Sequence, residues 1–333
     1  MNVRPTRRGS IVGALIMCGV LVALVIAASG IGTGRHTDDR PLVVATTAPL
    51  GALVHELVGD AATVAVVIPN GADPHDYRPS AKGAALLHRA DLIVANGRGL
   101  EAGLAGAMAD ARAAGVPVFT VADHLGAIDR PDDDDHTESP QPGENHDDPD
   151  HAGHDHADGD PHIWLDPLAM RAAMAALAPR LESPLGPGVA ARAAALDARL
   201  GALDRRVRAR LSSLDPAQRR IISGHESLGY FARRYDLSVV GVLIPSLSSE
   251  AHVSAANLAH LRRVVARTGV SVIFNEAGTP KGVAATIADA TGARVVDLAT
   301  HTLPGNGSYE TFIEGIADAI AAAAQRPARG ATR

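Results

Sequence analysis

The sequence predicts an α/β protein made of two parallel-sheet lobes, each of (β/α)4 type, joined by one long rigid helix. Three observations predict it. Short β-branched runs alternate with Ala-rich stretches, the alternation is interrupted midway by a long amphipathic helical pattern, and a second set of β-branched runs follows. Strands that alternate with helices build parallel sheets covered by those helices.

The first set of strands is expected at 42–46, 63–68, 92–95 and 117–121. A helix then begins near residue 166, where Asp166 suits the N-cap and Pro167 the first turn. Gly186-Pro187-Gly188 breaks the chain. Leu196, Leu200, Leu203, Val207, Leu211 and Leu214 follow at spacings of 4, 3, 4, 4 and 3, which is one helical face. From Val189 to Leu214 such a helix is about 39 Å long at 1.5 Å per residue, and Asp215-Pro216 ends it. The second set of strands is expected at 220–223, 239–243, 271–274 and 294–298. The chain thus divides into an N-terminal lobe (41–185), a linking helix (186–215) and a C-terminal lobe (216–333), a fit to 333 residues.

With 46% hydrophobic residues but only four Phe, four Tyr and one Trp, the cores must be aliphatic. A single cysteine excludes intramolecular disulfides and cysteine-based zinc sites. The net charge of −6 argues against a nucleic-acid partner. That charge is unevenly spread. Residues 131–160 hold twelve acids and no Lys or Arg, so subtracting −12 from −6 leaves +6 for the rest. The same stretch carries His136, His146, His151, His154 and His156 among fifteen histidines in all. It reads as a disordered loop that gathers metal ions weakly, imidazole being the commonest zinc ligand. An acidic solubilising linker is the plainer alternative.

At the N-terminus, Arg4, Arg7 and Arg8 precede an apolar run from Ile11 to Ala28. Residues 1–30 therefore read as a signal peptide or an N-terminal anchor, and the rest as extracytoplasmic, at the periplasm or cell surface. Lipidation at Cys18 fits poorly, because Met17 stands where a small residue is wanted.

Ligands of parallel α/β sheets bind beyond the carboxyl ends of the strands. His75, His225, Glu276 and Asp297 fall near such ends, and His162 directly precedes the capped helix. Three imidazoles and a carboxylate suit tetrahedral Zn²⁺, and a cleft between lobes would gather them. Each histidine taken alone is more often a surface or core residue, and Asp297 could cap a turn. His88, His252, His260 and His301 are read as solvated or structural, with His301 the nearest to the site. The chain has no G-x-S-x-G elbow and no phosphate loop, and His225-Glu226 does not continue as H-E-x-x-H.

The stretches IPNGADPHDYRPS, DLIVANGRGLE, GDPHIWLDP, SGHESLGYFARRYDL, SVIFNEAGTPK and ARVVDLATHTLPG, in that order, resemble the zinc/manganese solute-binding proteins of ABC transporters, the cluster A-I metal receptors. The resemblance covers residues 41 to about 325. It implies a metal between two lobes, held by His75, His162, His225 and Asp297, in a receptor rather than an enzyme. It also implies a zinc ion as cargo and an ABC-type membrane permease as partner, with the chain a monomer held to the membrane only if its N-terminal segment stays uncleaved. The family's fourth position usually reads D-P-L-G, whereas this chain has Asp297-Leu298-Ala299-Thr300, so Glu276 or a water could replace Asp297. Histidine at the third position goes with zinc in the family and glutamate with manganese. Imidazole does suit zinc better than it suits manganese. Two other readings stay open: a zinc-dependent hydrolase with Glu276 as general base, and a zinc-sequestering surface protein or adhesin.

Overall fold

A computed structural model describes residues 40–125, 159–246 and 254–325, apart from 277, 278, 280 and 306. The expected signal or anchor at 1–30 and the loop histidines His136, His146, His151, His154 and His156 lie outside the described residues. Among the described residues no helix is long and apolar enough to cross a membrane.

Strands β1 (Leu42–Ala45), β2 (Thr63–Val66), β3 (Leu92–Ala95) and β4 (Val118–Thr120) form one sheet, in the order β2-β1-β3-β4. Strands β5 (Arg220–Ser223), β6 (Ser238–Val242), β7 (Val272–Asn275) and β8 (Arg294–Asp297) form a second, in the order β6-β5-β7-β8. Every pairing is parallel. Central strands β1 and β3 are continuous apolar runs, and β5 and β7 bury apolar pairs or triplets, as parallel strands covered by helices must.

Helices α1 (Ala48–Val58), α2 (Ala81–His88) and α3 (Ala105–Ala113) connect the first sheet. Ser80 caps α2 by accepting from the Gly83 N–H. An outer cluster of Val44, Ile68, Leu87, Ile93 and Leu104 seals that sheet's far face. In the second half, α6 (Gly229–Arg234), α7 (Ala255–Thr268) and α8 (Lys281–Thr291) play the same part. There Ile222, Leu243, Leu261, Ile273 and Ile287 form the matching cluster.

Between the sheets run α4 (Pro167–Leu185) and α5 (Gly188–Ser212). Asp166 caps α4 by accepting from the N–H groups of Leu168 and Ala169. The 25 residues of α5 bury Leu196, Leu200, Leu203, Val207 and Leu211, the face its spacing predicts. The final helix, α9 (Tyr309–Gln325), lies along α5. Arg199, Arg206 and Arg210 meet Glu310, Glu314 and Asp318 at 3.0, 2.6 and 2.7 Å. Exposed pairs of this kind add little stability singly, but three in register fix how the two helices align. The inner faces of both sheets share one apolar cluster, from Val43 through Leu165, Leu200 and Ile221 to Ile316. The two lobes therefore meet in a common core.

Candidate metal centre

The carboxyl ends of the two sheets carry the polar residues. His75 lies in the turn after β2, where Asp73 Oδ1 accepts from its backbone N–H at 3.0 Å. His162 opens the short 3₁₀ turn Ile163–Leu165 that leads to Asp166. His225 follows β5, and the Ser223 hydroxyl pins that turn by donating to the His225 carbonyl at 2.7 Å. His301 follows β8.

These four histidines converge, and one potential ligand atom from each lies within 4.8 Å of all the others. His162 Nε2 is 3.2 Å from His75 Nε2 and 3.1 Å from His225 Nε2. Nitrogens bound to tetrahedral zinc at about 2.05 Å stand roughly 3.3 Å apart, so the spacing fits that ion. His301 Nε2 and His225 Nδ1 are buried without a hydrogen-bond partner. Burial holds His162, His225 and His301 well below the ordinary histidine range, and His75 below it. Neutral imidazoles are the form that binds metals.

Carboxylates stand behind the rings. Asp160 Oδ1 lies 2.8 Å from His162 Nδ1 and also accepts from the His162 backbone N–H at 2.9 Å. With Nδ1–H donated to Asp160, Nε2 is left as a lone pair facing the cluster. Glu276 is fully enclosed. It accepts from the Gly224 N–H at 3.0 Å, the Thr300 hydroxyl at 3.2 Å and the Ser227 hydroxyl, and its Oε2 lies 3.6 Å from His225 Nδ1. Burial raises both Asp160 and Glu276 to about 7. Trp164 walls the site, with its ring 5.3 Å from His162 and 5.4 Å from His301, and its indole N–H donates to the Thr300 carbonyl. The adjoining cleft, lined by Ile68, Pro69, Pro74 and Trp164, has room for about one water.

The sequence-predicted residues thus divide. His75, His162 and His225 come together, and Glu276 sits behind His225. Asp297 does not join them. It is exposed on the edge strand β8, where its carboxylate accepts from the Asn275 side chain at 2.8 Å. Where Asp297 was expected, the structure brings His301 to the cluster, four residues further along the loop. His301 is buried rather than solvated, and it does lie at the site, as its place in the sequence suggested. His88 and His260 are exposed. In the sequence Asp160 is one of the acids of the 131–160 stretch, and its place two residues before His162 is the signal that singles it out.

The family model for ZnuA, "zinc-uptake complex component A periplasmic", matches residues 43–323. The chain belongs to this family. The high-affinity zinc uptake system protein ZnuA of Paracoccus denitrificans is 31% identical over 90% of this chain and 97% of its own length. The zinc-binding lipoprotein AdcA of Streptococcus pneumoniae is 26% identical over 84% of this chain, which spans only 53% of that longer protein. The solved periplasmic zinc-binding protein TroA of Treponema pallidum superposes with a TM-score of 0.72 at 23% identity, covering 86% of this chain and all of TroA. That likeness establishes the shared two-lobe fold. The family is one of solute-binding receptors, not enzymes.

Proposed function

We propose that this chain is an extracytoplasmic receptor that captures Zn²⁺ and delivers it to an ABC-type membrane permease for uptake. The observation that carries the reading is the buried convergence of four imidazoles within 4.8 Å. His75, His162, His225 and His301 are the proposed ligands, with Asp160 and Glu276 supporting the rings from behind. Four nitrogen donors favour zinc over manganese, which prefers oxygen. A closed set of four ligands counts against a hydrolase, which needs an open coordination position. The N-terminal segment would export the chain, which would act as a monomer.

Calorimetric titration of the purified protein tests this. One tight zinc site per chain is expected, together with the tetrahedral absorption bands of a cobalt-substituted protein. Tight binding that survives His75→Ala, His162→Ala, His225→Ala and His301→Ala alike would sink the proposal.

A further inference from the structure

Asp160 is held from both sides. Its Oδ1 meets the backbone N–H and ring Nδ1 of His162. Its carbonyl accepts from the Arg98 guanidinium at 3.0 Å, and that same nitrogen donates to the Tyr230 hydroxyl at 2.6 Å. Tyr230 belongs to α6, in the second half of the chain, and Gly229 precedes it. A Cβ on Gly229 would stand 2.6 Å from Asp160 Oδ2 and 3.8 Å from Asp160 Cγ, and among the described residues outside its own helix and chain neighbours nothing else lies within 4 Å of it. The Gly229 backbone is outside the left-handed region, so the obstacle to an alanine there is the Asp160 carboxylate. An aspartate side chain turns softly about its terminal torsion. The carboxylate would therefore give way first, and turning it carries Oδ1 off the His162 ring.

We infer that Gly229 and Asp160 form a positioning pair: the missing side chain on α6 makes the space in which the Asp160 carboxylate orients the His162 imidazole toward the metal. The inference rests on the proposed role of His162 as a ligand. It assigns a function in zinc binding to a glycine that touches neither metal nor ligand.

Zinc titrations against a chromophoric chelator test it, using Gly229→Ala, Asp160→Ala, Asp160→Asn and the double variant Gly229→Ala/Asp160→Ala. Losing a carboxylate behind a ligating histidine weakens metal binding by about ten- to a hundred-fold. Gly229→Ala is expected to weaken zinc by about ten-fold and Asp160→Ala by at least as much. Asp160→Asn should fall between Asp160→Ala and the parent, because its amide oxygen still accepts from Nδ1–H. The double variant should bind no more weakly than Asp160→Ala alone, since the glycine acts only through the carboxylate. Parent-like affinity in Gly229→Ala, or losses that add in the double variant, would overturn the pair. Should Gly229→Ala not fold, Asp160→Ala decides, and parent-like affinity there overturns it equally. His162→Ala in the same series separates the two claims. If it keeps tight zinc the ligand reading fails, whereas if it loses zinc while Gly229→Ala keeps it, only the pair fails.

Discussion

The two sheets repeat one topology, and each buries a glutamate beside its third strand. After β3, Glu101 accepts from the N–H groups of Asn96 and Gly97 and from the Thr46 hydroxyl, all at 2.6–3.1 Å. After β7, Glu276 accepts from Gly224, Ser227 and Thr300. The two carboxylates occupy corresponding strand ends at the switch points of their sheets. They differ in what lies one contact further out. Behind the partners of Glu101 is backbone that ties the end of β1 to the end of β3, and the Asn96 amide reaches the Pro161 carbonyl beside His162 but no imidazole ring. Behind the partners of Glu276 are His225 and His301. Equal topology supplies the niche, and the neighbouring side chains decide whether the niche braces the fold or the site.

The sharpest way to break this comparison is to remove the proposed ligands from each sheet end separately. His75→Ala from the first and His301→Ala from the second should each weaken zinc by about a hundred-fold or more, as four ligands share the large binding energy of such a site. Asp297→Ala should stay within about two-fold of the parent, because its carboxylate faces Asn275 rather than the cluster. A silent His301→Ala with a costly Asp297→Ala would reverse the assignment of the fourth ligand.

Next come the glutamates themselves. Glu276→Gln should weaken zinc by about ten-fold, whereas Glu101→Gln should leave zinc affinity within about two-fold. Similar losses in both, measured by chelator competition, would show that the two niches serve the site alike.

A subtler difference concerns pH. Burial raises the Glu101 carboxyl above its ordinary value. The folded state then keeps a proton that the unfolded chain releases above about 4.5, so this group's contribution to stability is lost as pH rises through the raised value. Glutamine cannot titrate. In metal-free thermal melts, the Tm of Glu101→Gln relative to the parent should therefore climb over the window that opens at about pH 4.5. A flat difference across that window would contradict the assignment.

The smallest effect is expected where the sheet ends touch at the rim. The exposed Asn70 side chain donates to the Leu303 carbonyl at 2.9 Å and accepts from the Leu303 N–H at 2.8 Å. Asn70 lies five residues before His75, and Leu303 two after His301. Asn70→Ala should speed zinc release by only about five-fold, the scale of two solvent-facing hydrogen bonds, and stopped-flow chelation would detect it. An unchanged rate would show that the rim does not restrain exchange.

Much of the fold was legible because its signals are local. All eight strands fall within a residue or two of their expected positions, and Asp166-Pro167 and Gly186-Pro187-Gly188 mark helix boundaries by capping and backbone restriction alone. Within the candidate centre, His75, His162 and His225 were legible from their places at strand ends and before a capped helix. His301 was not, because which residue of the loop after β8 turns inward depends on the course of Leu298–Thr300, and no periodicity encodes that. Asp297 attracted attention by its place on the last strand, yet that strand is an edge, half open to solvent. Glu101, Asp160 and Gly229 gain their meaning only from partners distant in sequence or hidden in a charged run.

The apolar cluster common to both lobes has a mechanical consequence. Swinging the halves apart like a bivalve would put Leu200, Ile221, Ile316 and their neighbours into water, at about 25 cal/mol for every Å² exposed. The same residues that close the core of each lobe therefore also resist a wide hinge motion between the lobes.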